Sequence, residues 1–114
     1  MADLVQVISQ PGPLPIGAKV AIETDAPTII TLAGSVWSVD MSEMVGIALM
    51  IDGAQVASAQ IFANAMEQHL TVVPVTFSYT FPFTSDQTHE FGLDGLTGTT
   101  MTDQNDFFVV TVQY

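Results

Sequence analysis

The amino-acid sequence predicts an all-β fold: an antiparallel β-sandwich of the jelly-roll type, with eight or nine short strands in a single domain of residues 1–114. Apolar and polar residues alternate at a period of two, clusters of Gly, Pro, Asp and Asn recur between the apolar runs, and helical patterns are almost absent. The strands differ in length and several connections exceed hairpin size, so a jelly-roll sandwich is favoured over a closed barrel.

In chain order, the first four strands are expected at residues 3–9, 19–24, 28–32 and 35–39. A proline-rich segment, residues 10–15, indicates a rigid extended connection between the first two. Residues 46–62 predict a β-hairpin, because apolar residues alternate up to Asp52-Gly53, a pair favoured in type I′ turns. Residues 63–68 are the one stretch that suits a turn of helix.

Residues 69–83 alternate cleanly and predict one long, half-buried strand, with Val73 and Phe83 on the same face as Phe77. Pro74 and Pro82 cannot donate ladder hydrogen bonds, so this strand is expected to be an edge, to be bulged, or to break near Pro74. The last strands are expected at residues 90–93 and 107–113.

Composition excludes several classes of function. The chain has twelve Asp and Glu, a single Lys or Arg, and a formal net charge of -11. Nucleic-acid binding is not expected, because it depends on cations that neutralise phosphates. Residues 1–10 show no export signal, and the longest apolar stretch, residues 45–51, is far too short to span a bilayer. A cytoplasmic or particle-associated protein without membrane contact is therefore expected.

The loop from Asp94 to Asp106 carries the clearest candidate metal ligands, which are Asp94, Asp103, Asn105 and Asp106. Calcium takes six to eight oxygen ligands, so these residues suit it, although the spacing is not that of an EF-hand. The alternative is an Asx-type turn whose side chains cap backbone amides before the last strand. No cofactor is required for folding in either case.

Two parts of the sequence resemble known protein families. Asn105-Asp106, the following Val109-Val110, and Asp103 in register are similar to the loop of bacterial calcium-dependent lectins of the fucose-binding type, which implies a sugar site assisted by calcium. The strand pattern and the aromatic-rich later strands resemble the jelly rolls of tumour necrosis factor and complement C1q, which implies a trimer. Within the adjacent pair Phe107 and Phe108, one ring is expected to serve a subunit interface.

Other residues suggest ligand binding more weakly. Trp37 and Tyr79 could stack against a sugar, although an aromatic residue in a strand usually belongs to the core. His69 and His89, each near a glutamate, are expected to face solvent at strand starts, because two histidines without cysteine do not complete a zinc site.

The sequence therefore predicts a non-enzymatic assembly or recognition module, a homo-oligomeric component of a bacterial or phage particle or fibre, with itself or another protein as partner. The alternative is a calcium-assisted carbohydrate-binding domain. No nucleophile motif is present, and a small hydrolase or isomerase that uses a carboxylate pair stays open as a third hypothesis.

Overall fold

The computed structural model describes residues 3–114, and within them the chain folds into two antiparallel sheets with no helix. Met1 and Ala2, which begin the segment where no export signal is predicted, lie outside the described residues. The strands are β1 (Leu4–Pro11), β2 (Ile16–Ala21), β3 (Thr28–Ser38), β4 (Glu43–Ile51), β5 (Ala54–Ala63), β6 (Leu70–Thr71), β7 (Val75–Tyr79), β8 (Thr88–Gly95), β9 (Thr100–Met101) and β10 (Phe107–Gln113).

The strand order is that of a jelly roll and confirms the predicted fold class. The first sheet has the order β1-β10-β3, with β7, β6 and β9 all paired to β3, and the second has the order β2-β8-β4-β5. Successive long strands alternate between the sheets except at the β4–β5 hairpin, so the chain winds around the core as two Greek keys do. No helix in residues 3–114 is long and apolar enough to cross a membrane.

The core lies between the sheets and is filled from alternate positions of each strand. On β3 the even-numbered residues from Thr28 to Ser38 are buried, and on β10 the buried residues are Phe108, Val110 and Val112. Odd-numbered residues of both strands therefore form the outer face of the first sheet. That face carries the site described below.

Two predicted strands, residues 28–32 and 35–39, are one continuous strand, β3. Gly34 suggested a break, but it lies inside the strand against the ring of Phe108. A Cβ at Gly34 would lie 2.5 Å from Phe108 Cδ1 and 3.3 Å from Ile47 Cδ1. The glycine therefore makes room for a core aromatic residue and does not end the strand.

The predicted strand at residues 69–83 is broken between β6 and β7, around Pro74, as one of its three alternatives predicts. Val73 and Phe83 were expected on the half-buried face, but their side chains are 63% and 78% exposed, because both lie where the chain has left the sheet. The turn of helix considered for residues 63–68 is a simple turn.

The predicted β4–β5 hairpin is confirmed. Asp52 and Gly53 both have positive φ, 52° and 86°, as a type I′ turn requires. Asp52 Oδ1 accepts a hydrogen bond from the Glu90 backbone N–H at 2.9 Å, and Oδ2 lies 2.6 Å from His89 Nδ1. His89 is only 2% exposed, so the expectation that it faces solvent is wrong. The centroid of its ring lies 4.8 Å from that of Phe81, and its hydrogen bond with Asp52 connects the turn to β8.

Candidate functional site

Trp37 lies on the outer face of the first sheet, with a strand on each side. Val36 pairs with Leu70 of β6, so continuing the antiparallel register places His69 opposite Trp37. On the other side, Met101 of β9 pairs directly with Trp37. The indole and imidazole ring centroids are 6.0 Å apart with the planes tilted by 46°. Sheet pairing therefore brings together three residues that are far apart in sequence.

The orientation of the indole ring determines which of its atoms meet solvent. The side chain is half-buried, and Nε1 is buried without a hydrogen-bond partner among the described residues. The exposed part of the Trp37 side chain is therefore carbon. An apolar aromatic surface of this kind suits stacking against another apolar surface.

Asp106 lies beneath the site and is bonded to three of the residues around it. Its side chain is fully buried, yet its carboxylate accepts hydrogen bonds from several directions. Ser35 Oγ donates to Oδ1 at 2.7 Å, His69 Nδ1 lies 2.7 Å from the same oxygen, and the Asp103 backbone N–H donates to Oδ2 at 2.9 Å. This arrangement places the proton of neutral His69 on Nδ1 and leaves Nε2 facing Asp103 Oδ2 at 3.6 Å.

The carboxylates around His69 raise the pKa of its imidazole above the ordinary value. The hydrogen bond with Asp106 is the largest cause; desolvation opposes it, and the charges of Asp106 and Asp103 act in the same direction as the hydrogen bond. His69 is 38% exposed, so solvent screens these interactions in part. The imidazolium form is nevertheless favoured more than it is in free histidine.

The segment from Asp103 to Asp106 forms the Asx-type turn that the sequence suggested. Asp103 Oδ1 accepts a hydrogen bond from the Asn105 backbone N–H at 2.8 Å, and the Asp106 backbone N–H donates to the Asp103 carbonyl at 3.0 Å. The turn fixes the Asp103 carboxylate near the indole ring. Within residues 3–114 its Oδ2 has no contact other than the longer approach to His69, so it is left for other partners.

A metal ion is the other ligand that these residues could hold. One ring nitrogen of His69 and one oxygen each from Asp103 and Asp106 lie within 4.8 Å of one another. Both oxygens of Asp106, however, already accept hydrogen bonds from the protein. Asp94 lies apart from this cluster on β8, where Oδ1 accepts a hydrogen bond from its neighbour Gly95. The predicted four-residue calcium site stays a prediction, and Asp94 is not among the residues that lie together here.

A shallow cavity of about 220 Å³ opens beside the indole ring, lined by Trp37, Glu67, His69 and Asp103. We call these four residues the indole site. Glu67 enters it from the turn after β5, where its backbone is left-handed, with a φ of 61°, and its N–H donates to the Ser38 carbonyl at 2.9 Å. A non-glycine residue in this region of φ is strained, and such residues concentrate at functional positions.

Two other depressions are larger but chemically less specific. One of about 430 Å³ lies over the second sheet, where Gly17 and Gly92 are paired and lack side chains. Its lining includes the single Lys, Lys19, and Glu90. The other, of about 250 Å³, includes Asp94 and several threonines. Neither presents an exposed aromatic ring, so the indole site is the better candidate.

The structure separates the other predicted site residues from the indole site. Tyr79 pairs with Thr28, nine residues along β3 from Trp37, which is about 30 Å at the usual strand rise. A single ligand of ordinary size cannot contact both rings. Phe107 is 49% exposed on the outer face of the first sheet, whereas Phe108 is fully buried. The interface expected of this pair can therefore involve Phe107 alone.

Glu67 and His69 are functional candidates that the sequence did not identify as such. Their only signal was the i, i+2 spacing of an acid and a histidine shortly before a strand. Nothing local links them to Trp37, because the pairing of β6 with β3 spans more than thirty residues.

Ser35, His69 and Asp106 are the residue types of a hydrolytic triad, but they are not connected as one. In a triad the imidazole lies between the hydroxyl and the carboxylate. Here the Ser35 hydroxyl and the His69 imidazole both bond the same oxygen of Asp106. The Ser35 hydroxyl therefore donates to a carboxylate and not to the imidazole.

Comparison with known proteins identifies no family. No protein-family model matches the chain, and no curated protein matches it. Among solved structures, a chain described as the EclA C-terminal domain, a sugar-binding protein, matches at a TM-score of 0.44 and 14% identity, covering 98% of this chain and 78% of that chain. At this level of similarity, function has to be argued from the residues themselves.

Proposed function

We propose that the protein is a carbohydrate-binding module and that a saccharide binds at the indole site. The observation that carries the proposal is the position of Trp37, whose exposed carbon surface lies on an outer sheet face beside two carboxylates and an imidazole. A pyranose presents an apolar C–H face together with hydroxyl groups at its edge. The indole ring suits the first feature, and the polar side chains suit the second.

The polar groups of the site are held in place before any ligand arrives. Asp103 is fixed by its turn, and His69 is fixed by the hydrogen bond to Asp106. Carboxylate oxygens accept strong hydrogen bonds from hydroxyl groups. Since these side chains are already ordered, a ligand loses less free energy in ordering them.

We propose further that binding needs no cofactor and that the domain is not an enzyme. Asp106 uses its oxygens inside the protein, and Ser35 bonds to it and not to His69. Binding in a chelator is therefore expected to equal binding in millimolar calcium. Binding that disappears in chelator would instead support the calcium-assisted site at Asp94, Asp103, Asn105 and Asp106.

The fluorescence of the protein tests the proposal directly, because Trp37 is its single tryptophan. Titration with a panel of oligosaccharides is expected to change the intensity or wavelength of emission with a saturable dependence on concentration. Isothermal titration calorimetry then compares variants. Trp37→Ala is expected to abolish binding, and Tyr79→Phe is the control because Tyr79, on β7, pairs with Thr28 at the other end of β3. Unchanged binding by Trp37→Ala would exclude the indole site.

A second proposal is self-assembly, and exposed apolar residues at one end of the sandwich favour it. Met44 and Phe62 are cross-strand neighbours on β4 and β5, and the adjoining loops carry Met41 and Met66. These four side chains are between 44% and 63% exposed. Methionine side chains adapt to many partner surfaces, and exposed apolar patches often mark interfaces.

We propose that the patch of Met41, Met44, Phe62 and Met66 is the contact surface of a homo-oligomer, with a trimer favoured, as in a particle or fibre component. Light scattering coupled to size-exclusion chromatography at micromolar concentration measures the mass directly. A trimeric mass that Phe62→Gln reduces to that of a monomer is the expected result, with Phe83→Gln as control because Phe83 is more exposed and lies outside the patch. A monomer across the concentration range would refute the assembly proposal and leave the sugar proposal intact.

A further inference from the structure

The indole site carries negative charge with no fixed positive charge to balance it. Glu67 and Asp103 line the cavity, and Asp106 lies beneath it. The single Lys of the sequence, Lys19, is on β2 in the other sheet. His69 is the one residue of the site that can become cationic, and even the protonated ring leaves an excess of carboxylates.

Two of these carboxylates retain oxygens that a ligand can reach. Among the described residues, Asp103 Oδ2 has only the 3.6 Å approach to His69 Nε2, which is longer than a hydrogen bond. Glu67 is exposed at the tip of its turn. Asp106 is enclosed, so its charge acts on the cavity at a distance and not through contact.

We infer that the site selects saccharides that carry a protonated amino group over neutral saccharides of the same shape and over anionic ones. This inference rests on the proposed carbohydrate function of the same site. An ammonium group at the edge of a pyranose stacked on Trp37 would donate to Asp103 Oδ2 or to Glu67. A uronate or sulfate group would meet an excess of like charge, because Lys and Arg are absent from the site and the imidazolium of His69 is outnumbered by the carboxylates around it.

The expected preference is modest because both carboxylates are partly in solvent. An affinity ratio of about fivefold to tenfold corresponds to about 1–1.4 kcal/mol, which two exposed ion pairs of about 0.5–0.7 kcal/mol each would supply. The ratio is expected to decrease at high salt, since solvent-exposed charge pairs are screened. Stacking on the indole ring is expected to be insensitive to salt.

Matched β-1,4-linked tetrasaccharides of glucosamine, N-acetylglucosamine, glucose and glucuronic acid provide the test. Their dissociation constants are measured by calorimetry at a pH below the pKa of the amine, at low and at high salt. We expect the glucosamine tetramer to bind about fivefold to tenfold more tightly than the neutral tetramers and the glucuronic acid tetramer to bind least. Asp103→Asn retains an oxygen for the Asn105 N–H and is expected to reduce the preference.

Attraction of any cation to an acidic protein has to be separated from recognition at the site. Asp94→Asn removes the same charge on β8, away from the cavity, and is expected to leave the preference unchanged. Equal reduction by Asp94→Asn and Asp103→Asn, or glucosamine binding that survives Trp37→Ala, would overturn the inference. Equal affinity for glucosamine and neutral tetramers would overturn it while the carbohydrate proposal stands. Failure of all four tetramers to bind would count against both.

Discussion

Replacement of Asp106 by alanine removes the acceptor that connects three segments of the site. Ser35 Oγ, His69 Nδ1 and the Asp103 N–H would all lose their partner. A hydrogen bond to a charged group contributes about 1.5–3 kcal/mol when buried. The side chains of His69 and Asp103 are 38% and 33% exposed, so water can reach these two residues and their losses are nearer 0.5–1 kcal/mol each. The total is about 2.5–5 kcal/mol.

For a chain of 114 residues, 1 kcal/mol corresponds to about 4 °C in melting temperature. Asp106→Ala is therefore expected to melt about 10–20 °C below the native protein in a circular dichroism experiment. Asp94→Ala is the control because it loses one exposed hydrogen bond to Gly95, and it is expected to stay within about 2 °C. If Asp106→Ala melts within about 4 °C of the native protein, the buried carboxylate does not organise the site.

The same variant tests the cause of the raised pKa of His69. Since Asp106 raises the pKa of His69, their interaction stabilises the fold fully below the unfolded-state pKa of about 6.5 and is lost as pH rises through the raised value. The difference in unfolding free energy between native protein and Asp106→Ala is expected to be larger at about pH 6 than at about pH 9. A difference that is constant or that grows with pH would contradict this assignment. Asp106→Asn keeps the shape and serves if the alanine variant does not fold.

Two further predictions concern the core and the hairpin. Gly34→Ala places a methyl group 2.5 Å from Phe108 Cδ1 and is expected to lower the free energy of unfolding in urea by about 1–3 kcal/mol. Gly98→Ala is the control, because an added Cβ there meets no described atom within 4 Å. It is expected to change the free energy of unfolding by less than about 0.5 kcal/mol. Burial acts to raise the pKa of Asp52, but the hydrogen bonds with the Glu90 backbone N–H and with His89, both on β8, lower it overall. The stability that Asp52 contributes is present above its unfolded-state pKa of about 3.9 and is lost as pH falls through the lowered value. The free energy of unfolding is measured between about pH 5 and pH 2. It is expected to decrease less steeply with falling pH in Asp52→Asn than in the native protein.

Local sequence predicted the elements whose geometry is set locally. Asp52-Gly53 specifies a turn by its own backbone preferences, so the hairpin was predicted with the correct pairing. The period-two pattern predicted the strands and the fold class for the same reason. The same pattern predicts the wrong environment for Phe83 because the period holds only while the chain stays in the sheet, and the sheet ends at Tyr79.

The candidate site depended on contacts that no local pattern contains. Trp37 and His69 become neighbours only through the pairing of β3 with β6, and Asp106 joins them through a turn before β10. The local sequence around Gly34 suggests the end of a strand, because Phe108, the residue whose ring requires the glycine, is more than seventy residues away. Sequence spacing identified Asp103 and Asp106 as important oxygen donors, but it could not show that the protein itself supplies their partners.

The pairing of β1 with β10, which joins Leu4 to Gln113, has a consequence for the rate at which this protein folds. The β4–β5 hairpin is the one long ladder between consecutive strands of the described residues, so every other long ladder there requires closure of a large loop before it gains any stability. Proteins dominated by such distant pairings fold in milliseconds to seconds, whereas helical bundles of similar stability fold far faster. Since Trp37, His69 and Asp103 come from three distant segments, the indole site is complete only after these distant pairings have formed.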